Sequence, residues 1–405
     1  MKKIVLLTAI CFAFSACGDD MEPKTKERVD IPLTPAEKEM AISGNNFGYN
    51  LFREIDKLQK EPANVCFSPI SVNYLFSMLN NGADGVSRQE IQQVLGYVLS
   101  TPDEINAYNQ KMLVASRDLD PQVTVETANS LWIREEFPVL APFIEVNKKY
   151  YQAEIQNVPF NSQTLEKINR WASDHTHGKI PKILDGINEQ GILYVMNALY
   201  FKGKWSQSFK KEQTKKETFT NADGSKSEVP MMRTTLNALY YTTNRYDMVG
   251  IPYGNSAFSM WIILPRPDVT LSSIISFLNE SDAFQTSRAC QVNVRLPRFK
   301  VESEIFLNEM LGRMGMPSLF DSEKADFSLI HPARTLHLNM VKQKASIMVD
   351  EEGGEAAAVT IAGMVTDAGP SHLPVVDFFV ERPFIYMIRE KSSGAIFFMG
   401  AINQL

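Results

Sequence analysis

"DEEGGEAAAVTIAGMVTD", Asp350 to Asp367, carries three local signals that do not agree. Gly353-Gly354 favours a flexible loop, Ala356-Ala357-Ala358 a helix, and Val359-Thr360-Ile361 a strand. From Gly353 to Asp367 there is no proline; the first is Pro370. A proline-free segment keeps every backbone N–H and can join a sheet as an interior strand. These residues would reach about 50 Å at roughly 3.3 Å per residue. In a strand, alternate side chains face opposite sides. Glu355 must then face water, because an unpaired buried carboxylate is costly. The other side presents Gly354, Ala356, Ala358, Thr360, Ala362, Met364 and Thr366, most of them small and none charged. The residues alone leave a plainer reading open, an Ala-rich loop or a frayed helix.

The surrounding chain is long enough for a large core. It has 405 residues, 44% apolar and 22% charged, with a formal net charge of −6. It has no long basic run, which argues against nucleic acid as a partner. From Glu37 to Leu405 there is no low-complexity linker and no internal repeat, so 37–405 reads as one mixed domain. Phe47, Leu51, Ile55 and Leu58 recur at helical spacing. Ser87-Arg88-Gln89-Glu90 reads as a capping box ahead of Ile91, Val94 and Leu95. Ile168 to Ile180 predicts another helix. Ile192 to Phe201 is nearly all apolar, as a strand buried on both faces would be. Asp223-Gly224 marks a hairpin. Ala257–Leu264, Gln291–Leu296 and Ala395–Ile402 read as strands. Helices first, then strands joined by hairpins, predict an α+β fold.

The N-terminus reads as a targeting segment. Lys2 and Lys3 precede an apolar run, Ile4 to Phe14, and small residues Ser15-Ala16 stand before Cys17. Phe14-Ser15-Ala16-Cys17 resembles a bacterial lipoprotein signal. The resemblance implies that residues 1–16 are removed and that Cys17 carries the lipid. A plain secretory signal with a chance cysteine is the alternative. Gly18-Asp19-Asp20 resembles the surface-export signals of some lipoproteins, and 17–36 is charged and proline-bearing, as a flexible tether would be. The expected location is the outer membrane, reached through the lipid alone, with exposure at the cell surface or beyond. Cys66 and Cys290 remain in the domain; they could close one disulfide, but buried free thiols fit their separation better.

The search for catalytic chemistry argues against an enzyme. Only five histidines occur, and His175-Thr176-His177 has no completing carboxylate or cysteine pattern, so it fits a polar helix end better than a metal site. No phosphate loop, dinucleotide fingerprint or Gly-x-Ser-x-Gly elbow is present. No cofactor and no metal are expected.

Several stretches, in order along the chain, resemble the serpin family: "NVCFSPISV" (Asn64–Val72), "INRWASDHTHGKI" (Ile168–Ile180), "MNALYFKGKW" (Met196–Trp205), "VRLPRFKVE" (Val294–Glu302), the opening stretch, "ERPFIYMI" (Glu381–Ile388) and "FFMGAI" near the end. The resemblance implies three β-sheets, about nine helices and an exposed reactive loop at about 351–376. It implies a suicide mechanism, in which a protease forms an acyl-enzyme with the loop through its Ser or Cys and the cleaved loop inserts into the central sheet. The hinge would be Glu351, Glu352, Gly353, Gly354, Glu355, Ala356, Ala357, Ala358, Val359 and Thr360. The region where the sheet opens would contain Ser68, Ser71, Asn197 and Gln343, with Trp205 near its top. Relatives usually place a His at Gln343, bonded to the equivalent of Asn197; Gln also donates and accepts, so the network could be kept without pH sensitivity. Relatives also usually have Thr or Ser at Gly354, and Gly carries more loop entropy to lose.

Counting from the hinge as in inhibitory members puts the scissile bond at Asp367–Ala368. Counting back from Arg382-Pro383-Phe384 puts it about five residues later, because this loop is longer. Inserted length is what trapping constrains, so the hinge count sets the window Val365, Thr366, Asp367, Ala368. Small and β-branched residues there suit elastase-like or subtilisin-like serine proteases, and papain-like cysteine proteases are further targets. A trypsin-like target is disfavoured, since neither Arg nor Lys occurs between Asp350 and Glu381. The expected state is a monomer. The competing expectation is a non-inhibitory binding or scaffold protein.

Overall fold

A computed structural model of the chain describes residues 27–280, 283–332, 336–353 and 373–405. The helices are α1 (Pro35–Leu58), α2 (Pro69–Asn80), α3 (Gly85–Leu95), α4 (Pro102–Ala115), α5 (Ala141–Tyr151), α6 (Ser162–His175), α7 (Leu271–Ile275), α8 (Ala283–Thr286) and α9 (Asn308–Met314). The strands are β1 (Val65–Phe67), β2 (Val123–Arg134), β3 (Glu154–Val158), β4 (Leu193–Gly203), β5 (Lys215–Thr220), β6 (Lys226–Thr242) and β7 (Tyr246–Pro252). They continue as β8 (Phe258–Pro265), β9 (Arg288–Pro297), β10 (Phe299–Phe306), β11 (Lys342–Val349), β12 (Val375–Phe379), β13 (Phe384–Glu390) and β14 (Ile396–Ile402).

Among the described residues these form three hydrogen-bonded sheets, the α+β architecture that the resemblance implied. The largest runs β1-β14-β13-β8-β7-β6-β9-β12, with β5 paired to β6. Its middle is the core: every residue of β13 and β14 is buried. The second sheet is β10-β11 and the third is β3-β2-β4. Both small sheets meet the same helix. Helix α2 is buried on nearly all sides, and its polar residues Ser71, Asn73 and Ser77 are hydrogen-bonded there. Its Pro69 occupies the first helical position, where a missing N–H costs nothing, and Ser68 caps it. Helix α6 packs on the other face of β2 and β4, through Ile168, Trp171 and Ala172 against Trp132, Met196 and Ala198.

Some sequence expectations are met and others corrected. Ser87 is not a cap: α3 starts at Gly85, and the Ser87 hydroxyl, one turn inside, accepts from the backbone N–H of Asp326 at 2.8 Å. Glu90 likewise turns away, to accept from Ser318. The helix expected over Ile168–Ile180 runs from Ser162 to His175 instead, capped by Asn161. His175 and His177 at its end face Glu154 and Glu126. The strand expected to be buried on both faces, Ile192–Phe201, is only half-buried at Leu193, Tyr194 and Val195. Both of its faces are covered, but among the described residues its outer edge has no strand beside it. The Asp223-Gly224 hairpin is found as expected: antiparallel β5 and β6 are joined through Asn221 to Ser225, with Gly224 at φ +83°. The tether ends before Ala36: Ile31 is buried and donates its N–H to Ser392, and Thr34 and Glu37 form a reciprocal cap on α1. Cys66 and Cys290 are buried free thiols.

Thr34→Ala removes that cap and should lower stability by about 1 kcal/mol in urea denaturation. No change would mean that the fold starts after this point.

Candidate functional site

The site is built where the two small sheets present facing edges. Strand β4 ends the three-stranded sheet and β11 ends the two-stranded one, and among the described residues no ladder joins them. They lie close enough to line one cleft, of about 40 Å³, with Tyr200 on one wall and Ile347 and Met348 on the other. Strand β11 alternates strictly, with Gln343, Ala345, Ile347 and Val349 buried and the residues between them half-buried. This period of two is what a strand covered on one face requires.

One helix end holds both edges. Ser68 donates its backbone N–H to Oε1 of Gln343 at 3.0 Å and accepts from Nε2 of Gln343, also at 3.0 Å. Ser71, one turn on, hydrogen-bonds through its hydroxyl to Oδ1 of Asn197 on β4. Asn197 then donates to Asn129 on β2 at 2.7 Å, and Asn129 to the carbonyl of Tyr151 at 2.8 Å. Ser68, Ser71, Asn197 and Gln343 are therefore brought together. Gln343 does not reach Asn197 as its counterpart would in relatives: its amide is used both ways by the Ser68 backbone, and the connection runs through the helix turn.

The upper end of the gap is a clamp. Trp205 lies just beyond β4, stacked on Tyr253 with ring centroids 4.4 Å apart. Its indole N–H donates to the carbonyl of Asp350 at 2.9 Å, and its backbone N–H to that of Glu352 at 2.9 Å. Phe209 donates to the carbonyl of Glu351 at 2.8 Å. The Glu351 side chain is 1% exposed and accepts from Arg298 at 2.6 Å and Thr214 at 2.7 Å, while Glu352 pairs with Lys211 at 2.6 Å. Asp350 closes the turn by accepting from the N–H groups of Glu352 and Gly353. Gly353 sits at φ +122°, and a Cβ there would meet the carbonyl oxygen of Gly203 at 2.2 Å. Only glycine fits this exit. Burial opposes ionisation of Glu351, but the hydrogen bonds from Arg298 and Thr214 outweigh it and hold the carboxyl below its ordinary value of 4.5.

Gly354, Glu355, Ala356, Ala357, Ala358, Val359 and Thr360, the window Val365, Thr366, Asp367 and Ala368, and Cys17 all lie outside the described residues. The chain is described again from Leu373, and β12 then runs parallel to β9. Arg298, Thr214, Lys211 and Phe209 were not anticipated. A carboxylate beside the hinge signals that some cation is needed, but not that it stands in the "LPRF" stretch.

Comparison with known proteins agrees with this layout. The family model described as Serpin (serine protease inhibitor) matches residues 43–405. Iripin-8 of Ixodes ricinus is 33% identical over 382 residues, covering 90% of this chain and 94% of that protein. Glia-derived nexin of Mus musculus is 31% identical over 388 residues, covering 89% of this chain and 92% of that protein. Among solved structures, the chain is similar to the thermophilic serpin tengpin in its native state, with a TM-score of 0.82 at 27% identity, covering 95% of this chain and 98% of that one.

The clamp gives a pH dependence of defined sign. A carboxyl with a lowered folded pKa contributes stability above its unfolded pKa and loses it as pH falls through the folded value. Thermal unfolding of the wild type should therefore weaken below about pH 4.5. Arg298→Met should cost about 1–2 kcal/mol at neutral pH, less than for a fully buried pair because Arg298 is half exposed. It should also flatten the acid limb. A variant with unchanged midpoint and pH profile would remove the clamp from the account.

Proposed function

Because the chain belongs to the serpin family, we propose that it inhibits serine-type endopeptidases as a suicide substrate. The observation that carries this reading is that the edges of β4 and β11 line one cleft and, among the described residues, share no ladder, with the chain leaving beside them at Gly353. An edge strand with free N–H and C=O groups is a template for another strand. A protease attacks the loop within Val365–Ala368. The bond from the Asp367 carbonyl to the Ala368 nitrogen breaks, the amine leaves, and the protease Ser holds the acyl group as an ester. A papain-like Cys would hold it as a thioester. The segment from Gly354 then enters the gap and pairs with both edges, carrying the protease with it before water can release it.

Elastase-like and subtilisin-like enzymes suit the window, and trypsin-like ones do not. The chain acts as a monomer on this reading. It is exported and anchored through Cys17 to the outer membrane, on the strength of the signal-like sequence alone. The second reading, a non-inhibitory binding or scaffold protein, draws its support from Gly354, where relatives carry Thr or Ser.

Incubation with elastase and with subtilisin should give complexes that survive denaturing electrophoresis. Mass spectrometry should place the new N-terminus of the released peptide within the window. Nicking of the loop should raise the thermal midpoint sharply, because insertion completes the sheet. Cleavage without complex across a broad panel, with no thermal gain, supports the non-inhibitory reading instead. Gly354→Thr should lower the number of inhibitor molecules consumed per protease trapped, since a stiffer hinge has less freedom to lose.

A further inference from the structure

The lower end of the gap is a cavity of about 370 Å³. It opens where β4 begins and where the chain approaches β11. Its walls are largely apolar, with Leu75 and Leu79 from α2, Val195 from β4, and Ile330 and Leu338 from the approach to β11, while Asn188, Gln190, His337, Asn339 and Lys342 add polar groups. The exposure of this cavity is why the first residues of β4 are only half-buried. The segment between α6 and β4 roofs it, and that roof is tied down. Asn169 on α6 accepts from the N–H groups of Ile183 and Leu184 at 2.8 and 2.9 Å and donates to the carbonyl of Leu184 at 2.9 Å. Asp185 bonds to Lys342 at 3.2 Å, across the gap from the roof to β11.

One polar atom in this lining is unaccounted for. His337 lines the cavity, and its Nδ1 is buried without a hydrogen-bond partner among the described residues. Buried polar atoms are nearly always paired, and one without a partner calls for an explanation. A pre-formed, largely apolar cavity of a few hundred Å³ with a small number of polar groups has the design of a small-molecule site, and His337 is the one of these with a buried atom left without a partner among the described residues. Charge narrows the ligand class. Lys342, a lining cation, is already paired with Asp185 and with Glu304, the latter at 2.9 Å. A carboxylate entering here would lose its hydration and find the lining cation already taken up by two carboxylates. A hydroxyl does neither, and it can donate to the imidazole nitrogen or accept from it, according to the tautomer.

We propose that this cavity binds a compact apolar molecule bearing one neutral hydroxyl, hydrogen-bonded to His337, and that occupancy competes with strand insertion between β4 and β11. The competition rests on the inhibitory reading; the binding does not. A molecule seated against Val195 and Leu338 stands between the two strands. The upper part of the gap stays free, so a cleaved loop starts to enter but does not complete its pairing. The acyl-enzyme then has time to hydrolyse, and the inhibitor is consumed as a substrate.

The test uses the full chain with 1-octanol, and octanoate as the charged contrast. Calorimetry should give saturable binding of octanol and at least tenfold weaker binding of octanoate at neutral pH. His337→Phe keeps the ring and removes the nitrogen, and should weaken octanol at least tenfold. Leu338→Trp fills the cavity and should abolish binding. Both variants are compared only if their unfolding midpoints match the wild type. Saturating octanol should raise the number of inhibitor molecules consumed per protease trapped in the wild type, and leave His337→Phe unchanged. Absence of saturable binding, or equal binding to Leu338→Trp, overturns the site. Binding with unchanged consumption overturns the competition. If the chain traps no protease even without octanol, the inhibitory reading fails and calorimetry still decides the site.

Discussion

The structure depends on one turn of helix holding two sheets that, among the described residues, share no ladder. Ser68 and Ser71 sit on the same side of the α2 N-terminus, and one binds Gln343 of β11 while the other binds Asn197 of β4. These are side-chain hydrogen bonds, each worth about 0.5–1.5 kcal/mol net. A continuous ladder between the strands would bring several backbone bonds along their length. The chain therefore rests in a state where two edges are positioned for pairing and are held at the ends instead. Asn73 and Ser77, further along α2, are paired with Tyr97 and with each other, so the helix itself is firmly set.

The ends of the gap explain why this arrangement persists. At the top, Trp205, Phe209, Arg298 and Thr214 grip the backbone and side chains of Asp350 to Glu352. The turn at Gly353 then leaves by a route that no residue with a Cβ could take. At the bottom, Asp185 and Lys342 tie the roof segment to β11. Under the proposed mechanism the clamp serves as the fixed hinge about which the cleaved segment folds back. The lower tie and cavity mark the end of its travel. Stability and function are opposed here: each added bond across the gap steadies the intact chain and takes up backbone groups that an inserted strand needs.

Much of the fold was legible because its signals are local or come in long series. The apolar spacing of Phe47, Leu51 and Ile55 gave α1, and the continuous apolar runs gave β8 and β14. The errors arose where tertiary packing overrides a local pattern. Ser87 has the sequence of a cap, yet α3 starts at Gly85 and the Ser87 hydroxyl accepts from the backbone N–H of Asp326. Ile192–Phe201 reads as a strand buried on both faces; nothing in a single chain's composition tells that its first residues line a cavity and stay half-buried. For the site, Gly353 and the absence of proline could be read directly as backbone requirements. Arg298 could not be matched with Glu351, because a pairing over 53 residues leaves no periodic trace. His337 could not be singled out either, since a cavity is a property of packing.

The central claim is that the gap between β4 and β11 receives the cleaved loop. Hydrogen exchange on the amides of these two strands, before and after a single cut in the loop, tests it most directly. The account predicts that exchange slows strongly along both strands after cleavage, while β13 and β14 stay protected throughout. Unchanged exchange on β4 and β11 in the cut protein would contradict it.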